Sequence, residues 1–168
     1  MRTLVMILGL VTLGACGFHP LYAGGPNSAR RLELSQISIT PIASKVGVDL
    51  RNELINRITP EGEPMYPQYR LDLKLSEYRE GLGIQKDTSV TRWNYQLVAN
   101  YQLFDLGTGK LVTKGSASSM SSYSVVDSQF ATLTAENDAK ENASVDLGDQ
   151  LELRLALFFE QRARSAQR

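Results

Sequence analysis

Two stretches of two-residue alternation, the second followed by a glycine turn and a return segment, constrain this chain more than any other feature. In "YRLDLKLSEY", Tyr69, Leu71, Leu73 and Leu75 fall on one face, and Arg70, Asp72, Lys74 and Ser76 on the other. "SVTRWNYQLVANYQLF" repeats the pattern at greater length, with Trp93, Tyr95, Leu97, Ala99, Tyr101 and Leu103 sharing a face. One apolar and one wet side is the signature of an antiparallel sheet covered on a single face. "DLGTGK" then supplies a hairpin loop, because Gly107 and Gly109 accept the positive φ that such loops demand. The return segment "LVTKGSASSMSSYSVV" is rich in serine and alternates poorly, as expected of an edge strand.

The flanking segments read differently. "LELSQISITPI" alternates through Leu32 and Leu34, then through Ile37 and Ile39 one residue out of step. We expect a strand with an irregularity at Ser35-Gln36, ended by Pro41. "SKVGVDLRNELINRITP" spaces Val48, Leu50, Leu54, Ile55 and Ile58 as a helix does, with Ser44 as N-cap and Pro60 as stop. From about Ser128 onward, Phe130, Leu133, Ala139, Ala143, Leu147, Leu151, Leu155 and Phe158 form a second helical stripe, capped by Asp127 or Ser128. The order is β-α-β-β-β-α. The expected architecture is α+β: a two-layer sandwich whose four-stranded, mostly antiparallel sheet carries two helices on one face. The other face, with Asp72, Lys74, Arg92, Asn94, Gln96 and Asn100, is left polar and open.

Composition narrows the function. At 168 residues and 42% hydrophobic content the chain builds one core without help from disulfides. Its 18 basic and 18 acidic residues cancel, which argues against binding nucleic acid through bulk charge. No internal apolar run approaches the roughly 20 residues needed to span a bilayer.

One cysteine and one histidine, Cys16 and His19, both lie in "LGACGFHPLY" near the start of the chain. Ahead of them, Arg2 precedes the apolar run Leu4 to Leu13, and Gly14-Ala15 closes it. A charge, a short greasy core and a small-residue finish make a secretory signal peptide over 1–15, with a buried N-terminal element as the alternative. With Cys16 next, the segment resembles a bacterial lipobox, which implies acylation of Cys16 (palmitate among the chains) and removal of the leader. Each buried methylene contributes about 0.8 kcal/mol, so several chains anchor a protein stably where one does not. Gly17, rather than Asp, after the cysteine implies an outer-membrane address. The alternative role for Cys16 is a buried structural thiol.

"CGFHPLYAGGPNSARR" then reads as a lipidated tether over 16–31, followed by a single α+β domain over 32–168. A lone His19 in a tether can neither complete a zinc site nor serve a held catalytic triad. "GTGK" at Gly107 to Lys110 lacks the upstream glycine of a phosphate loop. Asn142-Ala143-Ser144 matches a glycosylation triplet but falls on a helix. Glu136, Asp138, Glu141, Asp146, Asp149 and Glu152 are spread around the last helix as a solvated face. No catalytic, cofactor or metal site emerges, and we expect a protein that is not an enzyme.

The lipobox, "CGFHPLY", the opening "KDTSVTRWNYQL" of the long central strand and the long closing helix together resemble the LPS-assembly lipoprotein family, LptE. The resemblance implies a lipoprotein on the periplasmic side of the outer membrane. It would plug the lumen of the β-barrel LptD and assist insertion of lipopolysaccharide at the cell surface. It also implies that Arg92, at the basic position of "SVTR", contacts lipopolysaccharide, a solvated strand residue being the other reading. A guanidinium fork suits phosphate because it donates two parallel hydrogen bonds. A second basic position of that family site, early in the last helix, falls at Thr134 here. The alternative is a lipid-anchored periplasmic scaffold subunit of another cell-envelope assembly machine.

Overall fold

The computed structural model of the chain describes residues 29–84 and 90–166. In order, these form α1 (Ala29–Leu34), β1 (Ile37–Ile39), α2 (Lys45–Ile58), β2 (Tyr69–Ile84), β3 (Val90–Asp105), β4 (Leu111–Ser124) and α3 (Gln129–Ala166). The leader over 1–15, Cys16, His19 and the tether up to Ser28 lie outside the described residues, as do Lys86 to Ser89.

The sheet runs β1-β2-β3-β4. β2 and β3 are antiparallel from Tyr69 opposite Asp105 to Ile84 opposite Val90, and β3 and β4 are antiparallel from Arg92 opposite Ser124 onward. β1 pairs with β2 in parallel, Ile37 opposite Tyr69. A parallel neighbour cannot be reached by a tight turn, so α2 serves as the crossover. β4 is one edge, as its serine-rich pattern suggested, and β1 is the other.

Alternation places the core as expected. Leu71, Leu73, Tyr95, Leu97, Ala99, Tyr101 and Leu103 are buried against the helices. Leu147, Leu151 and Leu155 of α3 close over them, each fully buried and each contributing about 1.5–3 kcal/mol. Phe159 packs on the ring of Tyr69 with centroids 5.1 Å apart. Ser44 caps α2, its side chain accepting from the Gly47 N–H at 3.2 Å. Ser128 opens α3, its Oγ accepting from the Ala131 N–H at 3.4 Å. Gly148, buried in α3, faces Glu53 of α2 so closely that an added Cβ would stand 3.1 Å from the Glu53 Cγ. Its missing side chain is what lets the two helices approach.

Three expectations are corrected. Leu32 and Leu34 belong to the short helix α1 rather than to a strand, and only Ile37–Ile39 are extended. The buried row of α2 starts at Val46 and continues through Leu50, Leu54 and Ile58, whereas Val48 is 51% exposed. That row advances four residues at a time, and Val48 points off it. Finally, Phe130 and Leu133 are 81% and 52% exposed, and the buried stripe of α3 begins at Ala139.

Candidate functional site

The site lies on the uncovered sheet face and at its far end, where Ile84 meets Val90. Strand alternation fixes which side chains reach it. With Trp93 and Tyr95 turned toward the helices, Arg92 and Asn94 necessarily face away. Arg92 stands in one cross-strand row with Leu82 of β2 and Ser124 of β4, and it is exposed. The next row holds Glu80, Asn94 and Ser122, with Ser122 Oγ donating to Asn94 Oδ1 at 2.7 Å. Beyond it Tyr78, Gln96 and Met120 align, so the open face is mixed rather than wholly polar.

Apolar side chains gather around the same end. Val125 follows β4 and is tied to Arg92's neighbour by its N–H donating to the Thr91 carbonyl at 2.9 Å. Thr132 in the first turn of α3 brackets Val126, its Oγ1 accepting from the Val126 N–H at 3.1 Å and donating to the Val126 carbonyl at 3.2 Å. Phe130 and Leu133 stand on that same turn, uncovered. Leu82, Val125, Val126, Phe130 and Leu133 are therefore exposed hydrophobic groups at the end that carries Arg92. A guanidinium among apolar groups suits an amphiphile with an anionic head.

On the covered side of this end the sheet stays polar but is satisfied. Tyr95 is buried and its hydroxyl donates to Glu77 Oε2 at 2.8 Å. Burial, then the bond to Glu77 and that carboxylate's charge, push the Tyr95 phenol well above its ordinary value of 10.0. Arg79 reaches Glu136 of α3 at 3.3 Å, and Lys140 reaches the same carboxylate at 2.6 Å. The Arg79–Glu136 pair clamps the start of α3 to the hairpin, and Lys140 holds Glu136 from within the helix.

Thr134 lies on α3, which covers the opposite face from Arg92, and its hydroxyl donates to the Phe130 carbonyl at 3.1 Å. The apolar groups at the far end were missed because Phe130 and Leu133 keep the helical period of the buried stripe. Among the described residues no cluster of three or more His, Cys, Asp or Glu could hold a metal. Among them, too, no helix is long and apolar enough to cross a membrane.

Comparison with known proteins bears on the family and the fold. The family model LptE, described as lipopolysaccharide-assembly, matches residues 34–155, from the end of α1 through most of α3. An uncharacterised protein of Rickettsia prowazekii is 22% identical over 159 residues, which is 95% of this chain and 98% of that one. A crystal structure from Caulobacter crescentus aligns with a TM-score of 0.66 at 23% identity, over 77% of this chain and 94% of its own. A minor lipoprotein from Acinetobacter baumannii aligns with a TM-score of 0.59 at 18% identity, over 72% and 90%. Rare lipoprotein B from Shewanella oneidensis aligns with 0.55 at 11% identity, over 79% and 98%. At such identities the solved structures share the fold.

Proposed function

The chain belongs to the LptE family of lipopolysaccharide-assembly proteins, and from that premise we propose that it is a lipoprotein subunit of the outer-membrane lipopolysaccharide translocon. In this reading the leader over 1–15 is removed, acyl chains on Cys16 hold the protein to the inner leaflet of the outer membrane, and 16–31 is the tether, whose last three residues, Ala29 to Arg31, wind into α1. The domain plugs the LptD barrel from the periplasmic side and assists lipopolysaccharide insertion at the cell surface. It performs no bond-making chemistry and needs no cofactor.

The observation that carries the reading is the family match, which runs from the end of α1 to Leu155 of α3. Physical fit supports it. Large outer-membrane barrels have polar interiors that need hydrogen-bonding partners, and they are closed by plugs. A charge-balanced wedge with one sheet face open supplies such partners without a strong field of its own. Arg92, beside Leu82 and near Val125 and Val126, offers an anion contact next to apolar surface, which matches a phosphorylated glycolipid.

Depletion of the protein in its own host provides the test. Newly made lipopolysaccharide should fail to reach the cell surface and should accumulate behind the outer membrane. Undiminished surface delivery would overturn the reading and move the protein to another envelope machine.

A further inference from the structure

Near the other end of the open face, strand register brings together polar side chains that lie far apart in sequence. Lys74, Asn100 and Ser116 form one cross-strand row, and Asp72, Gln102 and Lys114 form the next. These six, with Tyr101 and Gly115, line a shallow depression. Directly opposed side chains on neighbouring strands start about 5 Å apart, so the whole set fits within reach of one small ligand.

The charge in this depression is not balanced. Arg70 engages both oxygens of Asp72, with Nε at 3.0 Å and Nη2 at 3.2 Å, and offsets its charge. The same guanidinium lies over the Phe104 ring, 5.0 Å from its centroid, which holds it beside Asp72. Lys74 and Lys114 are exposed at diagonally opposite corners, and neither has a carboxylate partner among the described residues. Between them stand the two carboxamides and the serine hydroxyl, none bonded to another described side chain.

Each component selects a feature of the ligand. Two unpaired ammonium groups call for an anion, and phosphate is the anion that accepts from several donors at once. Carboxamides and a hydroxyl both donate and accept, which a bare anion does not use but vicinal hydroxyls do. An uncharged sugar would leave the ammonium groups without a role. We infer that this depression is a binding site for a phosphorylated saccharide, held by Lys74 and Lys114 through phosphate and by Asn100, Gln102 and Ser116 through hydroxyls. The site is separate from Arg92: eight residues along β3 place Asn100 roughly 26 Å away at about 3.3 Å per residue. It goes beyond the translocon reading and does not need it, since it stands on these side chains alone.

The full-length chain in non-ionic detergent, titrated with mannose 6-phosphate, mannose and inorganic phosphate, tests it by NMR at the Asn100 and Gln102 side-chain amides. Mannose 6-phosphate should shift these resonances saturably, and mannose and phosphate should each bind about tenfold more weakly or worse. Lys74→Gln with Lys114→Gln should lower affinity for mannose 6-phosphate by at least about tenfold while the rest of the spectrum stays folded. Micelles doped with a phosphorylated glycolipid separate two sources of the same chemistry. Displacement of the probe assigns the site to a lipid head group, and retention assigns it to a soluble sugar phosphate; both uphold it. The inference is overturned by absent shifts, by equal binding of phosphate and sugar phosphate, or by a double variant that binds as well as the native chain.

Discussion

The phenol of Tyr101 fills the place where Gly115 has no side chain, on the neighbouring strand directly opposite. A Cβ added at Gly115 would stand 2.7 Å from the Tyr101 oxygen and 2.8 Å from its Cζ. The glycine costs β4 some intrinsic stability, and the ring recovers it by covering the exposed backbone.

Gly115→Ala should therefore destabilise the domain by about 1–3 kcal/mol, although alanine is the better strand residue. Tyr101→Leu removes the ring that clashes, so the double variant should lose less than the sum of the two single changes. Urea denaturation of the four proteins measures this coupling. Strict additivity would show that ring and glycine do not depend on each other.

Tyr95 makes stability fall at high pH. Its folded-state pKa is raised, by burial first and by Glu77 next, so the neutral phenol is favoured in the fold. The contribution is full below the unfolded value near 10.0 and is lost as pH rises through the folded one. Tyr95→Phe should cost about 1 kcal/mol at pH 7 through the lost bond to Glu77, and should flatten the decline above pH 10. Denaturation midpoints at neutral and alkaline pH compare the two proteins.

Asp105 acts at the other end of the scale. The backbone N–H of Thr108 donates to its Oδ1 at 2.8 Å, pinning the loop between β3 and β4. That bond, followed by the Thr108 hydroxyl, lowers the Asp105 pKa below the ordinary 3.8. A depressed carboxylate stabilises above its unfolded value and loses that contribution as pH falls through the folded one. Between pH 7 and pH 2, the native chain should lose more stability than Asp105→Asn. Parallel acid profiles for the two proteins would remove Asp105 from the explanation.

Arg92→Asp should weaken binding of lipopolysaccharide micelles by about tenfold or more, because a phosphate contact becomes a repulsion. The residue is exposed, so thermal stability should change by less than about 0.5 kcal/mol. Unchanged binding would make Arg92 a solvated strand residue.

Much of the fold could be read from the chain because alternation is a local signal. Tyr69 to Leu75 and Trp93 to Leu103 announce both their strands and their buried face. β2 continues to Ile84, past the point where Glu77, Tyr78, Arg79 and Glu80 break the pattern, because pairing with Trp93 and Tyr95 on β3 holds it extended. Leu32 and Leu34 misled because a six-residue stretch carries too few apolar positions to separate helix from strand. The step out of phase at Ile37 marked the boundary between α1 and β1.

The open face was legible in parity, which placed Arg92, Lys74 and Asn100 on it. The company these residues keep was not. Lys74 and Lys114 share a depression only because of the register on both sides of β3, and no single strand encodes that. Phe130 and Leu133 follow the period of the buried stripe, and periodicity is silent on where the covering surface ends.

The claim on which the account turns is that this domain works inside a barrel complex. Affinity capture of the full-length protein from detergent-solubilised outer membranes of its own host measures that directly. The expected result is a stoichiometric complex with one large β-barrel protein, stable through gel filtration. Recovery of the chain alone, or with envelope proteins that include no barrel, would contradict it.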